Sequence, residues 1–288
     1  MTGFTLLRDG ARLQGTDDGE GPLALAFQHG LGGSEAQVAE NLPALPHVRR
    51  LTLECRAQGR SEAGATRPFS IALFAADALA ACDARGLDRF VAGGISMGAA
   101  IALRLAVLHP ERVRGLILAR PAWAFEAAPA NMALYAQVAD LLRRVPSAEC
   151  KARFAESPTG RMLADRAPDN LASLLGFFDR PDPALTADLL ADIAASGQEV
   201  SQAEAAGLRV PVLVIGHGVD VAHPLATAEA LAGAIPGARL VRIPPKATHK
   251  ADHTAAFQEA VRSFLAEADF GVPSAVAQAR TPNEKVLP

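Results

Sequence analysis

Hydrophobic and polar positions alternate only at the start of this chain. Residues 4–8 and 11–14 read as two short strands around Asp9-Gly10, a dipeptide suited to a tight hairpin turn. After the polar stretch Thr16-Asp-Asp-Gly-Glu-Gly-Pro the pattern changes. Residues 23–28, 48–55, 90–95, 113–119, 210–216 and 239–243 are short, largely apolar runs, the mark of strands buried on both faces. Between them lie helical patterns. Ser34 and Ser70 are candidate caps for helices over 34–43 and 70–85, the second stopped by Gly86 and carrying Ile71, Phe74, Ala78 and Cys82 on one side. Residues 99–109 are almost wholly apolar, and 225–234 and 252–267 complete the set, the last with Phe257, Val261, Phe264 and Leu265 on one stripe. Strands separated by helices predict an α/β fold with a mostly parallel sheet flanked by helices.

The rhythm breaks at Pro121. From 121 to 208 helical patterns recur (132–142, 148–155, 170–178, 183–195) without a convincing strand, and the sheet pattern resumes at 210. This predicts a core of residues 1–120 and 209–270 interrupted by a helical cap over 121–208, because the sheet needs both halves. Residues 271–288 are polar, Pro-containing and aperiodic and read as a tail.

Composition narrows the function classes. At 288 residues, with 50% hydrophobic and 20% charged positions, the chain can bury a large core, and a net charge of −3 offers no footprint for nucleic acid or an anionic membrane. Cys55, Cys82 and Cys150 are scattered without Cys-x-x-Cys spacing, which argues against a disulfide framework and a thiolate metal site. The N-terminus has neither a basic nor an apolar leader region, and no run reaches about 18 apolar residues. The expectation is a soluble, cytoplasmic protein that takes a small-molecule substrate and needs no cofactor.

One stretch carries chemistry. Gly94-Ile95-Ser96-Met97-Gly98 sits between the strand at 90–95 and the apolar helix after it. A serine on such a sharp strand-to-helix turn is a nucleophile elbow, and glycines two positions either side supply the room the turn needs. A serine hydroxyl requires a base, and the base an acid to orient it. Asp220 follows the strand ending at 216, and His249 follows the strand ending at 243, so both reach the same edge of a parallel sheet as Ser96. His253 competes with His249, but it falls at the start of the last helix, on the face with Phe257 and Val261. His29-Gly-Leu-Gly-Gly follows another strand; its Leu31 N–H, with the Met97 N–H, is a candidate oxyanion hole, and His29 reads as a hydrogen-bonding post. Trp123, Phe125 and Tyr135 are candidates for an apolar substrate pocket, and Arg56, Arg60, Arg143 and Arg144 read as solvated or loop-lining cations. The histidines and carboxylates at 217–223 and 249–253 lack a metal-ligand spacing, so no metal is expected.

Taken together, the His29-Gly loop, Glu54-Cys-Arg-Ala-Gln-Gly-Arg-Ser, the Ser96 pentapeptide, His109-Pro-Glu-Arg-Val, Asp220 with Pro224, and a late histidine resemble the α/β-hydrolase fold family, in its capped esterase and lactonase branch. The resemblance covers roughly residues 4–268. It implies Ser96 as nucleophile, Asp220 as triad acid, His249 as general base, and Leu31 and Met97 as oxyanion donors. Two departures stand out: Glu54 and Ala57 replace the family's Asp and Gly, and Thr248 replaces the Gly before the catalytic His. The expected activity is hydrolysis of a carboxylic ester or lactone through an acyl-enzyme. The same triad could serve a cofactor-free haloperoxidase or a C–C bond hydrolase, and the same fold a small-molecule receptor without turnover.

Overall fold

The computed structural model describes residues 2–268 and 270; the expected tail at 271–288 lies outside them. Among the described residues, β1 (Thr2–Arg8), β2 (Ala11–Asp18), β3 (Leu23–Gln28), β4 (Val48–Leu53), β5 (Phe90–Ile95), β6 (Val113–Ala119), β7 (Val212–Gly216) and β8 (Arg239–Arg242) form one sheet. Their order is β1-β2-β4-β3-β5-β6-β7-β8. β1 and β2 pair antiparallel, as do β2 and β4, and every later pairing is parallel. β2 runs on through polar Gly15–Asp18 because that segment pairs with β4, Gly15 opposite Leu53 and Asp18 opposite Arg50. Asp17 there accepts from Arg49 and Arg85.

The unbroken apolar runs follow from two-sided burial. Leu25, Phe27, Val91, Ile117, Leu213 and Ile215 point to one face, where α1 (Glu35–Asn41) and α11 (Lys250–Glu267) place Val38, Phe257, Val261 and Phe264. Their neighbours Ala26, Phe90, Ala92, Leu116, Leu118, Val212 and Val214 point to the other, covered by α2 (Ile71–Ala84) and α3 (Met97–Leu108). Each fully buried Leu, Ile, Val or Phe side chain stabilises by roughly 1.5–3 kcal/mol.

Between β6 and β7 the chain leaves the sheet as α4 (Ala133–Arg144), α5 (Ser147–Glu156), α6 (Pro158–Arg166), α7 (Pro168–Leu175), α8 (Pro183–Ala195) and α9 (Gln202–Ala206). α6 and α9 have no counterpart in the periodicity reading. Pro158 looks like a breaker in sequence but stands at the first turn of α6, where a missing N–H costs nothing, and Ser157 Oγ caps the Gly160 N–H at 3.0 Å. α9 is short and held by a capping box between Ser201 and Glu204. α10 (Leu225–Ala234) then links β7 to β8.

Arg56 is not a solvated cation. It is fully buried and paired with buried Asp77 at 2.6 Å, with Asp9 at 3.2 Å. Arg60, Arg143 and Arg144 are exposed. Glu54, standing where the family has Asp, accepts from the backbone N–H groups of Glu35 and Arg60. Ala57, standing where the family has Gly, adopts φ +60°, the left-handed region that glycine tolerates without cost.

Candidate active site

Ser96 stands between β5 and α3 at φ +57° and ψ −109°, a conformation L-residues seldom hold. The flanking glycines are forced by contact. A Cβ on Gly94 would lie 2.4 Å from the Gly98 carbonyl carbon, and one on Gly98 would lie 2.3 Å from the Gln28 carbonyl oxygen. The Ser96 N–H is tied to the Ala119 carbonyl at 2.9 Å, so the turn is anchored to the neighbouring strand.

The loop after β3 crosses the same edge. His29 is wholly buried; its Nε2 accepts from the Cys55 N–H at 3.0 Å, so Nδ1 carries the proton and donates to the Gly30 carbonyl at 2.7 Å. Burial holds this ring below the ordinary histidine pKa, and it serves as a neutral post for the loop. The Gly30 and Gly32 N–H groups donate to Gln37 and Gln58 side chains, and the Gly33 N–H to the Gly30 carbonyl. The Leu31 N–H is left without an acceptor among the described residues, as is the Met97 N–H in the first turn of α3.

Asp220 lies four residues past the end of β7, and its carboxylate is a hub. Arg120 donates to Oδ2 through Nε at 2.9 Å and Nη2 at 2.6 Å, and the His223 N–H donates to Oδ1 at 3.0 Å. The His223 ring returns over the same carboxylate, with Nδ1 3.0 Å from both oxygens. Burial alone would raise the Asp220 pKa, but His223 and Arg120 outweigh it and hold the carboxyl well below the usual carboxylate range. An ionised Asp220 only accepts, so His223 Nδ1 carries its proton and Nε2 is the free acceptor. That Nε2 lies 2.8 Å from Ser96 Oγ. A serine hydroxyl, an imidazole and a carboxylate thus form one hydrogen-bonded line, the geometry that lets a hydroxyl lose its proton as it attacks a carbonyl.

His249 does not join this line. It precedes the first residue of α11, is exposed, and its Nδ1 meets Thr248 Oγ1 at 2.8 Å. His253 is buried inside α11 with Nδ1 donating to the Pro244 carbonyl at 2.9 Å. The imidazole beside Ser96 is that of His223 and not of His249, because an Asp-x-x-His segment in a loop folds the ring back onto its own carboxylate. That spacing is the signal the sequence carried for it.

A cavity of about 70 Å3 opens beside Ser96, lined among others by Leu31, Arg120, Tyr135, Asn170, His223 and Lys246. That is several times the roughly 10–15 Å3 needed to admit one water but far below the ~300 Å3 of pockets for larger ligands, so it suits a small group. Of the three aromatic candidates, Tyr135 lines it, with its phenol pKa pushed up by burial. Trp123 does not: it is core, with its indole N–H donated to the Ser196 carbonyl at 3.0 Å. Phe125 packs against the core and is also absent from the lining.

The sequence matches the family described as alpha/beta hydrolase fold over residues 24–251. The chain belongs to the α/β-hydrolase fold family. A relative from Pseudomonas syringae pv. syringae, named "Putative carbamate hydrolase RutD", is 30% identical over 249 residues, 84% of this chain and 93% of its own. A crystal structure of the enol-lactonase from Burkholderia xenovorans superimposes with a TM-score of 0.72 at 27% identity, covering 91% of this chain and all of that one. A hydrolase from Pseudomonas aeruginosa gives a TM-score of 0.70 at 26% identity, over 91% and 98%.

In this α/β-hydrolase chain, residues outside the recognised motifs complete the site. Arg120 directly follows β6 at φ +45°, which turns its side chain onto Asp220. Asn170, from α7, accepts the Val221 and Ala222 N–H groups at 2.8 and 2.9 Å and so pins the loop that carries Asp220 and His223. Neither lies in a recognisable motif, because each acts across a gap of 50 to 100 residues.

Proposed function

We propose that the protein is a cofactor-independent serine hydrolase that cleaves a small carboxylic ester or lactone. The observation that carries this reading is the 2.8 Å contact of His223 Nε2 with Ser96 Oγ, backed by Asp220 at 3.0 Å. Ser96 Oγ attacks the carbonyl carbon while His223 Nε2 takes its proton, and Asp220 stabilises the imidazolium. The Leu31 and Met97 N–H groups receive the developing oxyanion, a contribution of roughly 3–4 kcal/mol per donor in comparable sites. His223 then returns the proton to the leaving alkoxide, and water, activated by the same nitrogen, cleaves the acyl-enzyme. The helices between β6 and β7 supply Tyr135, Asn170, Ser173 and Leu174 to the cavity, so they act as a cap that sets which acyl group fits.

A second reading, hydrolysis of a carbamate, is favoured by the name of the Pseudomonas syringae relative. It uses the same steps, with an amine or alcohol leaving from a carbamoyl carbon. A panel of short-chain esters, lactones and carbamates, run with wild type and Ser96→Ala, tests both. We expect multiple turnovers on at least one class, single-site labelling by a fluorophosphonate at Ser96, and loss of both in Ser96→Ala. Labelling that persists in Ser96→Ala would falsify the assignment of the nucleophile, and a single turnover without recycling would make the protein a receptor.

A further inference from the structure

Lys246 lies in the loop between β8 and α11 and lines the Ser96 cavity. Its ammonium makes no hydrogen bond or ion pair among the described residues, although the side chain is partly buried. The other cation of the cavity, Arg120, is committed to Asp220. Of the carboxylates near Lys246, Glu40 sits 3.3 Å from Lys250, and Asp169 reaches Arg120 only at 4.0 Å, with its Oδ1 buried and without a hydrogen-bond partner; neither forms an ion pair with Lys246. Burial, helped by Arg120, pushes the Lys246 pKa down, and Glu40 and Asp169 only partly oppose it.

Across the same cavity stands Asn170, 3% exposed. Two backbone N–H donors hold its Oδ1, which fixes the orientation of the amide. The amide nitrogen, with two protons to donate, has no acceptor among the described residues. Asn170 lines the cavity, so this donor is within reach of a ligand's acceptor there. An ammonium and an amide N–H group facing one small cavity present one positive charge and two kinds of donor. A carboxylate, with one charge and two oxygens, matches that count.

We infer that Lys246 and Asn170 form a carboxylate-binding subsite beside Ser96, so that the substrate is an ester, lactone or carbamate bearing a free carboxylate a few atoms from the cleaved bond. This rests on the hydrolase reading above. It adds a polar anchor to a cavity that would otherwise select only by size.

The test has two arms that fail separately. The first is calorimetric titration of succinate into wild type, Lys246→Met, Lys246→Arg and Asn170→Asp. Asn170→Asp keeps an oxygen for Val221 and Ala222 but turns the donor into an anion. Wild type binds succinate; Lys246→Met and Asn170→Asp bind it at least tenfold more weakly; Lys246→Arg recovers most of the loss. The second arm compares kcat/KM for monomethyl succinate and methyl butyrate, which differ by a carboxylate in place of a methyl group. The ratio falls at least tenfold in Lys246→Met. Succinate binding that is absent in wild type, or unchanged in Lys246→Met, overturns the subsite. An unchanged ratio with both esters turned over overturns it while leaving the hydrolase reading intact. Succinate binding with these variant effects, but no turnover of any ester, lactone or carbamate in the panel above, upholds the subsite and removes the hydrolase reading.

Discussion

The loops after β7 and β8 look alike in sequence and behave differently in the structure. Each follows a parallel strand at the same sheet edge, and each offers a histidine, with an aspartate in the first loop and at the start of α11 after the second. The β7 loop is tied down from several directions. Asn170 takes its Val221 and Ala222 N–H groups, Asn131 donates to the Ala222 carbonyl at 2.8 Å, and Arg120 clamps Asp220. The β8 loop is held by the His253 bond to Pro244 and a backbone bond from the His249 N–H to the Pro245 carbonyl, and its His249 is exposed. The lesson is that topology delivers a loop to the site, but local tethering decides which side chain stays there. Of the two loops, only the first holds an imidazole within hydrogen-bond reach of Ser96 Oγ, at 2.8 Å.

Removing His223 is the strongest way to break the comparison. His223→Ala leaves Ser96 without a base, and kcat on any turned-over ester is expected to fall by roughly 10^3- to 10^6-fold with the fold intact. Steady-state rates on purified protein, alongside circular dichroism, measure it. A His223→Ala enzyme within tenfold of wild type would remove the β7 loop from the chemistry.

A second, smaller effect lies where the two loops meet. His217, at the start of the β7 loop, packs edge-on against His253 of α11, with ring centroids 5.1 Å apart. It is 1% exposed, and its Nε2 lies 3.3 Å from Asp220 Oδ2. Burial, helped by Arg120, lowers its pKa from 6.5 to about 4. The unfolded chain therefore binds a proton that the folded chain refuses as pH falls below 6.5. This group's contribution to stability is full above that value and is lost progressively down to about pH 4. Each unit is worth about 1.4 kcal/mol, so the loss from this group is at most about 3.5 kcal/mol. His253 and His29 are also held below the ordinary value and act with the same sign. Urea unfolding between pH 7.5 and 4.5 should show the decline, and His217→Gln should flatten it. A slope identical in the variant would mean that His217 is already solvated in the folded protein.

Much of this architecture is legible before any coordinates. Apolar runs on Leu25–Phe27, Val91, Leu116–Leu118 and Leu213–Ile215 can only be strands covered on both faces, and Gly94 and Gly98 mark a turn where no Cβ fits. The unused N–H groups at Leu31 and Met97 follow from the same logic, because each follows a strand end whose neighbouring donors are spent or helical. What stays hidden depends on side-chain direction. Trp123 and Phe125 sit at the right point in the chain for a pocket, but their rings turn into the core. Arg56 reads as a loop cation until Asp77, on α2, is brought against it. His223 is hidden by chain order: a histidine after the last strand is the expected base, and an Asp-x-x-His turn that sets its imidazole between its own carboxylate and Ser96 breaks that order.

The smallest expected effect is the sharpest check on the comparison. His249→Ala should leave kcat/KM within about twofold and stability within about 0.5 kcal/mol, the range of surface substitutions that touch no buried feature. The side chain makes one exposed contact, Thr248 Oγ1 at 2.8 Å. It precedes α11 but provides no side-chain cap, so alanine there removes no helix-end hydrogen bond. The backbone bonds through this residue, from its N–H to the Pro245 carbonyl and from the His253 N–H to its own carbonyl, survive the substitution. Lys246 keeps its place because nothing anchors it through His249. Parallel kinetics and melting of His249→Ala and His223→Ala decide the matter. If His249→Ala loses three orders of magnitude while His223→Ala stays active, the base returns to the β8 loop. That loop would then have to rearrange to carry an exposed imidazole to Ser96 Oγ, displacing His223 from its 2.8 Å contact.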